Sequence, residues 1–392
     1  MPLSSTAHKP DYFTLTQALK NEARRLGFQL VGVTTPDTPL HFPEYESWLN
    51  AGLHGEMAYL AHERARIRRA DPCQILPDCA SILVLGIRYP AAQAPAQAAS
   101  TTLRGRIASY AWGVDYHTLI PPRLTALVQF LENQIGHPIP HRYYTDTGPI
   151  LERDFAQRAG LGWIGKNTCL IHPRQGSYFL LAEILLSLPL EPDPPFPTDH
   201  CGSCTRCLDA CPTQCILPNR TIDATQCISY LTIELKGSIP VELRPQMGPW
   251  VFGCDICQQV CPWNIRFASA ATDPDFSPSA ERSQPDLCAE LHLTPEQFHQ
   301  KFKNSPITRP KRRGYLRNIA VALGNLGDPV ALPHLAHALH DPEPLVRTHA
   351  AWAIGQIGGS EARTILEQAL ALETDPATCA EISHALDHLS LE

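Results

Sequence analysis

The sequence predicts a mixed α/β (α+β) N-terminal region, a small cysteine-bearing module and a C-terminal all-helical repeat. Three observations carry this. Residues 1–195 alternate short β-branched apolar runs with segments at helical spacing. Between residues 201 and 261, eight cysteines stand at C-x2-C and C-x3-C spacings. Near the C-terminus an apolar pattern recurs at an interval of 31 residues. A chain of 392 residues has room for two or three domains, and 44% hydrophobic with 18% charged residues supports a sizeable core. The expected boundaries are 1–195, 196–265, a connector at 266–304, and 305–392.

In the first region, Ser81–Tyr89 (SILVLGIRY) is rich in Ile, Leu and Val and reads as a buried strand. Leu124–Ile135 has the apolar spacing of an amphipathic helix. Ala91–Ser100 (AAQAPAQAAS) is a low-complexity loop. Tyr178–Leu190 is a 13-residue apolar run interrupted by Glu183, too short to span a bilayer, and reads as a buried strand or helix. Five prolines in Leu188–Thr198 make a stiff extended passage into the cysteine region. Met1–Pro10 lacks a basic-then-apolar signal, and dense C-x2-C grouping favours metal ligation over disulfides. Together these predict a cytoplasmic protein with no membrane association.

Cys201, Cys204, Cys207 and Cys211 read C-x2-C-x2-C-x3-C before Pro212, and Cys254, Cys257 and Cys261 read C-x2-C-x3-C before Pro262. This is the spacing of bacterial two-cluster ferredoxins, in which the fourth cysteine of a run ligates the other cluster. One cluster is therefore assigned to Cys201, Cys204, Cys207 and Cys261, and a second to Cys211, Cys227, Cys254 and Cys257. Interleaved sets ending in Cys-Pro favour two clusters over two zinc sites. Likeness to ferredoxins implies the 4Fe–4S type. Cys215 falls outside the ligand spacing and reads as packing, yet it competes with Cys227 for the second set. Cys73, Cys79, Cys169, Cys288 and Cys379 have no paired spacing and read as buried small hydrophobes.

The terminal repeat aligns Ala320–Gly327 with Ala351–Gly358, each followed by a helical segment, and resembles the HEAT-like repeat. Just before it, residues 301–320 hold seven basic residues and no acid, although the net charge of the chain is −7. Such a patch can bind phosphates even when the total charge is acidic, although taken alone a basic run is more often solvated surface. A second basic stretch is Arg64, Arg66, Arg68 and Arg69.

Thr145-Asp146-Thr147-Gly148-Pro149-Ile150-Leu151 runs on to a glycine-rich stretch at Gly160, Gly162 and Gly165, where tight turns and close backbone approach are allowed. Taken alone, Asp-Thr-Gly is a turn; a desolvated Asp146 would be a proton donor. Tyr144–Asn167, residues 201–214, 227–240 and 252–264, Ala111–His117 and the final repeats together resemble the epoxyqueuosine reductases. These are cobalamin-dependent iron–sulfur enzymes of the last step of queuosine synthesis on tRNA. The resemblance implies a cobalamin-binding N-terminal domain, a ferredoxin-like module with two 4Fe–4S clusters, and Asp146 as proton donor. It implies cofactor contacts from Arg69, from Asp146, Thr147, Gly148, Pro149, Ile150 and Leu151, and from Leu170, Ile171 and His172. It implies as substrate a tRNA carrying epoxyqueuosine at the wobble position, gripped through the basic stretch and above all Lys311, Arg312 and Arg313. An external flavodoxin- or ferredoxin-like electron donor and a monomeric enzyme complete the expectation. Two rival readings remain: a reductive dehalogenase-like enzyme, which lacks reason for the repeat, and a ferredoxin-type electron carrier, which leaves the Asp146 segment unused.

Overall fold

The structure, a computed structural model, describes residues 11–91, 102–268, 273–276 and 280–390. The expected loop at 91–100 lies outside the described residues beyond Ala91, as does Met1–Pro10.

The N-terminal region is built on a four-stranded sheet in the order Leu30–Thr34, Ser81–Arg88, Phe179–Leu186, His141–Tyr144. Every neighbouring pair is antiparallel, which makes the region α+β. Ser81–Arg88 reads as an unbroken apolar run because both of its faces are covered. Leu83, Leu85 and Ile87 face the helices Tyr12–Arg25 and Tyr116–Ile135. Ile82 and Val84 face the opposite way, onto Ile150 and the short helix Glu152–Arg158 through Phe155 and Ala156. The run Tyr178–Leu190 resolves as the strand Phe179–Leu186, so Glu183 sits inside the sheet, fully buried.

The helix expected at Leu124–Ile135 starts earlier, at Tyr116. Asp115 caps it by accepting the His117 backbone N–H at 3.0 Å, and Pro121 and Pro122 are carried inside. Burial of Tyr116 and Ile120 on the same stripe as Leu124 and Leu127 offsets the hydrogen bonds the prolines remove.

In the cysteine module, short helices at Arg206–Ala210, Ile256–Gln259 and Pro262–Phe267 begin within or just after the cysteine runs. Cys261 caps the last of these with Pro262 at its first position, where a missing N–H costs nothing. The module does not pack alone. Its core is a shared one: Ile228, Leu231, Met247, Val251 and Phe252 pack in a single apolar cluster with the C-terminal helices.

Those helices are Lys311–Leu326, Leu332–Ala338, Pro344–Ile357, Gly359–Leu370 and Pro376–His388. The recurring glycine of the repeat marks the helix crossings. A Cβ on Gly324 would lie 2.9 Å from the Ala353 Cα, and one on Gly355 would lie 2.8 Å from the Ala385 Cβ. The repeat is thus a repeated close approach. Among the described residues no helix is long and apolar enough to cross a membrane.

Gly324→Val forces bulk into the first crossing and is expected to cost about 1–3 kcal/mol in chemical denaturation. Gly237→Ala, where nothing lies within 4 Å, is the neutral control. Equal stabilities of the two variants would show that the crossing is not tight.

Candidate active site

The two cysteine sets occupy different surroundings. Cys201, Cys204, Cys207 and Cys261 line one cavity of about 240 Å³, together with His200, Arg206 and Trp263. The buried Trp163 indole N–H donates to the Cys201 sulfur at 3.5 Å. Cys211, Cys227, Cys254 and Cys257 gather elsewhere, with two further thiols among them. Cys215, 2% exposed, lies 3.4 Å from the Cys211 sulfur and also contacts Cys227. Cys169 contacts Cys257. Spacing could not reveal Cys169; the available signal was its place directly before Leu170–His172. Burial raises the Cys254 thiol well above its ordinary range, so its ionisation calls for a bound cation. Among the described residues no three metal-ligating side chains converge on a point suited to a single ion.

Asp146 stands at the end of the strand His141–Tyr144 with a left-handed backbone, φ 56°. Its N–H donates to Glu152 Oε1 at 2.7 Å, and its Oδ2 accepts the Tyr116 hydroxyl at 2.7 Å. The residue is exposed. The sequence reading required burial of this carboxyl; the protein alone does not supply it, because the turn carries Asp146 outward past the sheet edge. Thr147 is exposed as well, Gly148, Pro149 and Leu151 are half-buried, and Ile150 packs in the core beside Phe155. Gly148 lies so close to the Tyr144 ring that a Cβ would come within 2.3 Å of it.

Leu170 and Ile171 are buried and pair with Trp163–Ile164. His172 is held down to about 4 by burial and by Arg174 and Arg88, so it is neutral near pH 7. Arg69 is 8% exposed; it lies over the Tyr45 ring at 5.6 Å and makes one long hydrogen bond, 3.5 Å, to the Ala65 carbonyl. No ion pair with a carboxylate engages it among the described residues.

Two further features converge on Asp146. Four tyrosines in edge-to-face contact, Tyr178, Tyr89, Tyr110 and Tyr116, lead from the Cys257 neighbourhood to the Asp146 carboxylate. Near Asp146, Arg309 pairs with Glu234 and lies 5.7 Å from the Tyr59 ring centroid; both Arg309 and Tyr59 feel the Asp146 charge.

The rest of the basic stretch divides. Arg317 is fully buried and donates to the carbonyls of Leu231, Leu235 and Gly237. It holds the fold together and is not part of a phosphate grip. Arg312 pairs with Asp341 at 2.5 Å and donates to the Leu293 carbonyl at 2.6 Å. Lys301 pairs with Glu290. Lys311 is exposed and Arg313 half-exposed.

Comparison with known proteins agrees with this layout. Residues 69–147 match the family model described as epoxyqueuosine reductase QueG, DUF1730. Residues 200–264 match a 4Fe-4S double cluster binding domain, and residues 313–387 match HEAT repeats. The chain is 41% identical over 360 residues to the epoxyqueuosine reductase of Pseudomonas aeruginosa, covering 91% of this chain and 98% of that one. It is 39% identical over 347 residues to the Escherichia coli enzyme, covering 88% and 90%. A crystal structure of an epoxyqueuosine reductase with an epoxyqueuosine-modified tRNA-Tyr stem loop superposes with TM-score 0.90 at 34% identity, over 97% of this chain and 100% of that one. A Bacillus subtilis epoxyqueuosine reductase, with its catalytic loop swung out of the active site, gives TM-score 0.87 at 34% identity over 97% and 100%.

Proposed function

The chain belongs to the epoxyqueuosine reductase family, and we propose on that premise how its own residues carry out the reaction. The protein is an oxidoreductase that reduces epoxyqueuosine in tRNA to queuosine. Loss of the epoxide oxygen as water takes up two electrons and two protons, so the site needs an electron supply and a placed acid. The observation that carries the assignment of the acid is the Asp146 carboxylate, anchored by the Tyr116 hydroxyl and by Glu152 at an otherwise open turn.

Asp146 gives its proton to the leaving oxygen. Tyr116 fixes the direction of the carboxyl, and Glu152 fixes the backbone that carries it. The exposure of Asp146 suits a macromolecular substrate: an anticodon loop seated over the turn can bring its leaving oxygen directly to the carboxyl. RNA loops are read by splayed bases that stack on aromatic rings, and Tyr59 with Arg309 offers such a surface beside Asp146.

Cobalamin, when bound, supplies the strong reductant that opening an epoxide to an alkene demands. The residues present fit such a group. A buried Arg69 without a carboxylate partner calls for an anionic or amide-bearing neighbour. Asp146–Leu151 and Leu170–His172 would hold the corrin between the sheet region and the cysteine module, and a neutral His172 adds no charge there. For the clusters, Cys201, Cys204, Cys207 and Cys261 form one ligand set. Cys211, Cys227, Cys254 and Cys257 form the other, beside Cys169 and so beside Leu170. Electrons enter from a flavodoxin- or ferredoxin-like protein, and the enzyme works as a monomer in the cytoplasm.

Asp146→Asn is expected to lower the turnover of epoxyqueuosine-tRNA about 10²–10⁴-fold in anaerobic assays while leaving tRNA affinity unchanged. Full turnover would remove Asp146 from the mechanism. Iron analysis separates the thiols: Cys261→Ser loses one cluster's iron, whereas Cys215→Ala keeps both clusters. Loss of iron in Cys215→Ala would make that thiol the ligand in place of Cys227.

For tRNA binding, Lys311→Glu with Arg313→Glu is expected to weaken affinity and to reduce the salt slope by about 1 per lost phosphate contact. Arg312→Glu acts elsewhere, leaving Asp341 buried and unpaired at a cost of about 3–5 kcal/mol in denaturation. An unchanged salt slope in the double variant would exclude Lys311 and Arg313 from the interface.

A further inference from the structure

Glu183 is the buried group that the reaction as described leaves unused. It stands in the middle of the strand Phe179–Leu186, opposite Val84 on one neighbour and Tyr144 on the other. It is fully buried, and neither carboxyl oxygen meets a hydrogen-bond donor. Its face of the sheet is covered by the helix Glu152–Arg158, and the Glu152 carboxyl lies directly against it.

The charged groups around this pair are few. Asp146 approaches from the turn, and its charge, like that of Glu152, disfavours ionisation of Glu183. Arg153 acts on Glu152, but its guanidinium is engaged with the Thr168 carbonyl at 2.6 Å. Tyr116 gives its hydroxyl proton to Asp146. No base bears on Glu183 among the described residues. Glu183, with no donor of its own and no cation beside it, is not tolerated as a carboxylate against the Glu152 carboxyl at such depth; one proton between them turns the clash into a hydrogen bond.

We propose that Glu183 and Glu152 share one proton and that this acid pair, with Glu183 wholly inside the sheet and Glu152 half-buried against it, is the positioning device of the Asp146 turn. Glu183 carries the proton and donates it to Glu152. Held in this way, Glu152 keeps Oε1 on the Asp146 N–H at 2.7 Å. That hydrogen bond fixes a left-handed backbone which a non-glycine residue seldom adopts. Burial raises both carboxyls above the usual range, in agreement with a proton retained in neutral solution. Loss of that proton would put two adjacent negative charges beside Asp146, and the anchor of the turn would be lost with it.

The consequence for turnover rests on the reading of Asp146 as proton donor; the shared proton does not. The two are therefore tested separately. Infrared difference spectra of the holoenzyme, wild type minus Glu183→Gln, are expected to show the carbonyl stretch of a protonated carboxylic acid in neutral buffer. The amide of Glu183→Gln also donates one hydrogen bond to Glu152, and it cannot ionise. The unfolded chain ionises Glu183 in the ordinary carboxylate range while the folded chain keeps it protonated, so wild-type stability falls as pH rises above that range. The melting temperature of Glu183→Gln should therefore gain on wild type as the buffer goes from mildly acidic to mildly alkaline, and the alkaline limb of its turnover profile should move to higher pH.

Glu183→Leu removes the donor. Its kcat is expected to fall on the order of 10–100-fold with an unchanged KM for tRNA, a loss that Glu183→Gln restores. The proposal is overturned by absence of the protonated-carboxyl band or by wild-type kcat in Glu183→Leu. Full activity of Asp146→Asn, with the band intact, would instead overturn only the role given to Asp146.

Discussion

The cysteine module shares its apolar core with the C-terminal helices, and its neighbours grip its backbone from both sides. On one side the buried Arg317 guanidinium donates to three carbonyls of the segment 231–237, and Asn318 donates to the carbonyls of Thr232 and Val251 at 2.8 and 2.9 Å. On the other, Asn264 accepts the Ser177 N–H at 2.7 Å and donates to the Gln258 carbonyl, while Gln258 reaches the Tyr89 hydroxyl. Asp255, between two of the thiols, accepts the Ser109 N–H at 2.7 Å. Buried hydrogen bonds of this kind contribute modestly when made and cost much when half-made. They fix register where apolar packing alone would leave it loose.

That constraint explains why three modules behave as one enzyme. Ser177, Tyr178 and Tyr89 belong to the strand region, so the contacts that anchor the module also place the thiols against the tyrosine row leading to Asp146. The helical repeat, in turn, is part of the same packed unit. Its first helix completes the module's apolar core, and its preceding loop brings Arg309 close enough to Asp146 to feel its charge. A change in the repeat that shifted Arg317 would move the cysteine segment directly.

What was legible in the sequence follows from the range of the forces involved. Cysteine spacing is local ligand geometry, and the structure gathers Cys201, Cys204, Cys207 and Cys261 around one cavity. The strand at Ser81–Arg88 and the recurrence of Gly324 in Gly355 were legible because each encodes one continuous packing surface. Arg317 was not, since a basic run looks the same whether its partners are phosphates or buried carbonyls. Nor was Cys169, whose neighbour Cys257 is distant in the chain. The start of the helix at Tyr116 was hidden by Pro121 and Pro122, which oppose a helix locally but are overridden by burial and by the Asp115 cap.

The exposure of Asp146 is the instructive departure. On the reading of Asp146 as proton donor, a carboxyl that stands open in the free protein is reached directly by a large substrate. Such a residue cannot be anchored by packing its own side chain. Its anchors must come from behind, and they do: the Tyr116 hydroxyl on the carboxylate, and Glu152 on the backbone N–H. Tyr116 begins a helix whose inner face lies on the sheet, and Glu152 begins a helix on the opposite face. The turn is therefore held between both layers of the N-terminal fold while its carboxyl remains outside them. This geometry lets a rigid sheet present a carboxylate to solvent while fixing both its backbone and its side chain.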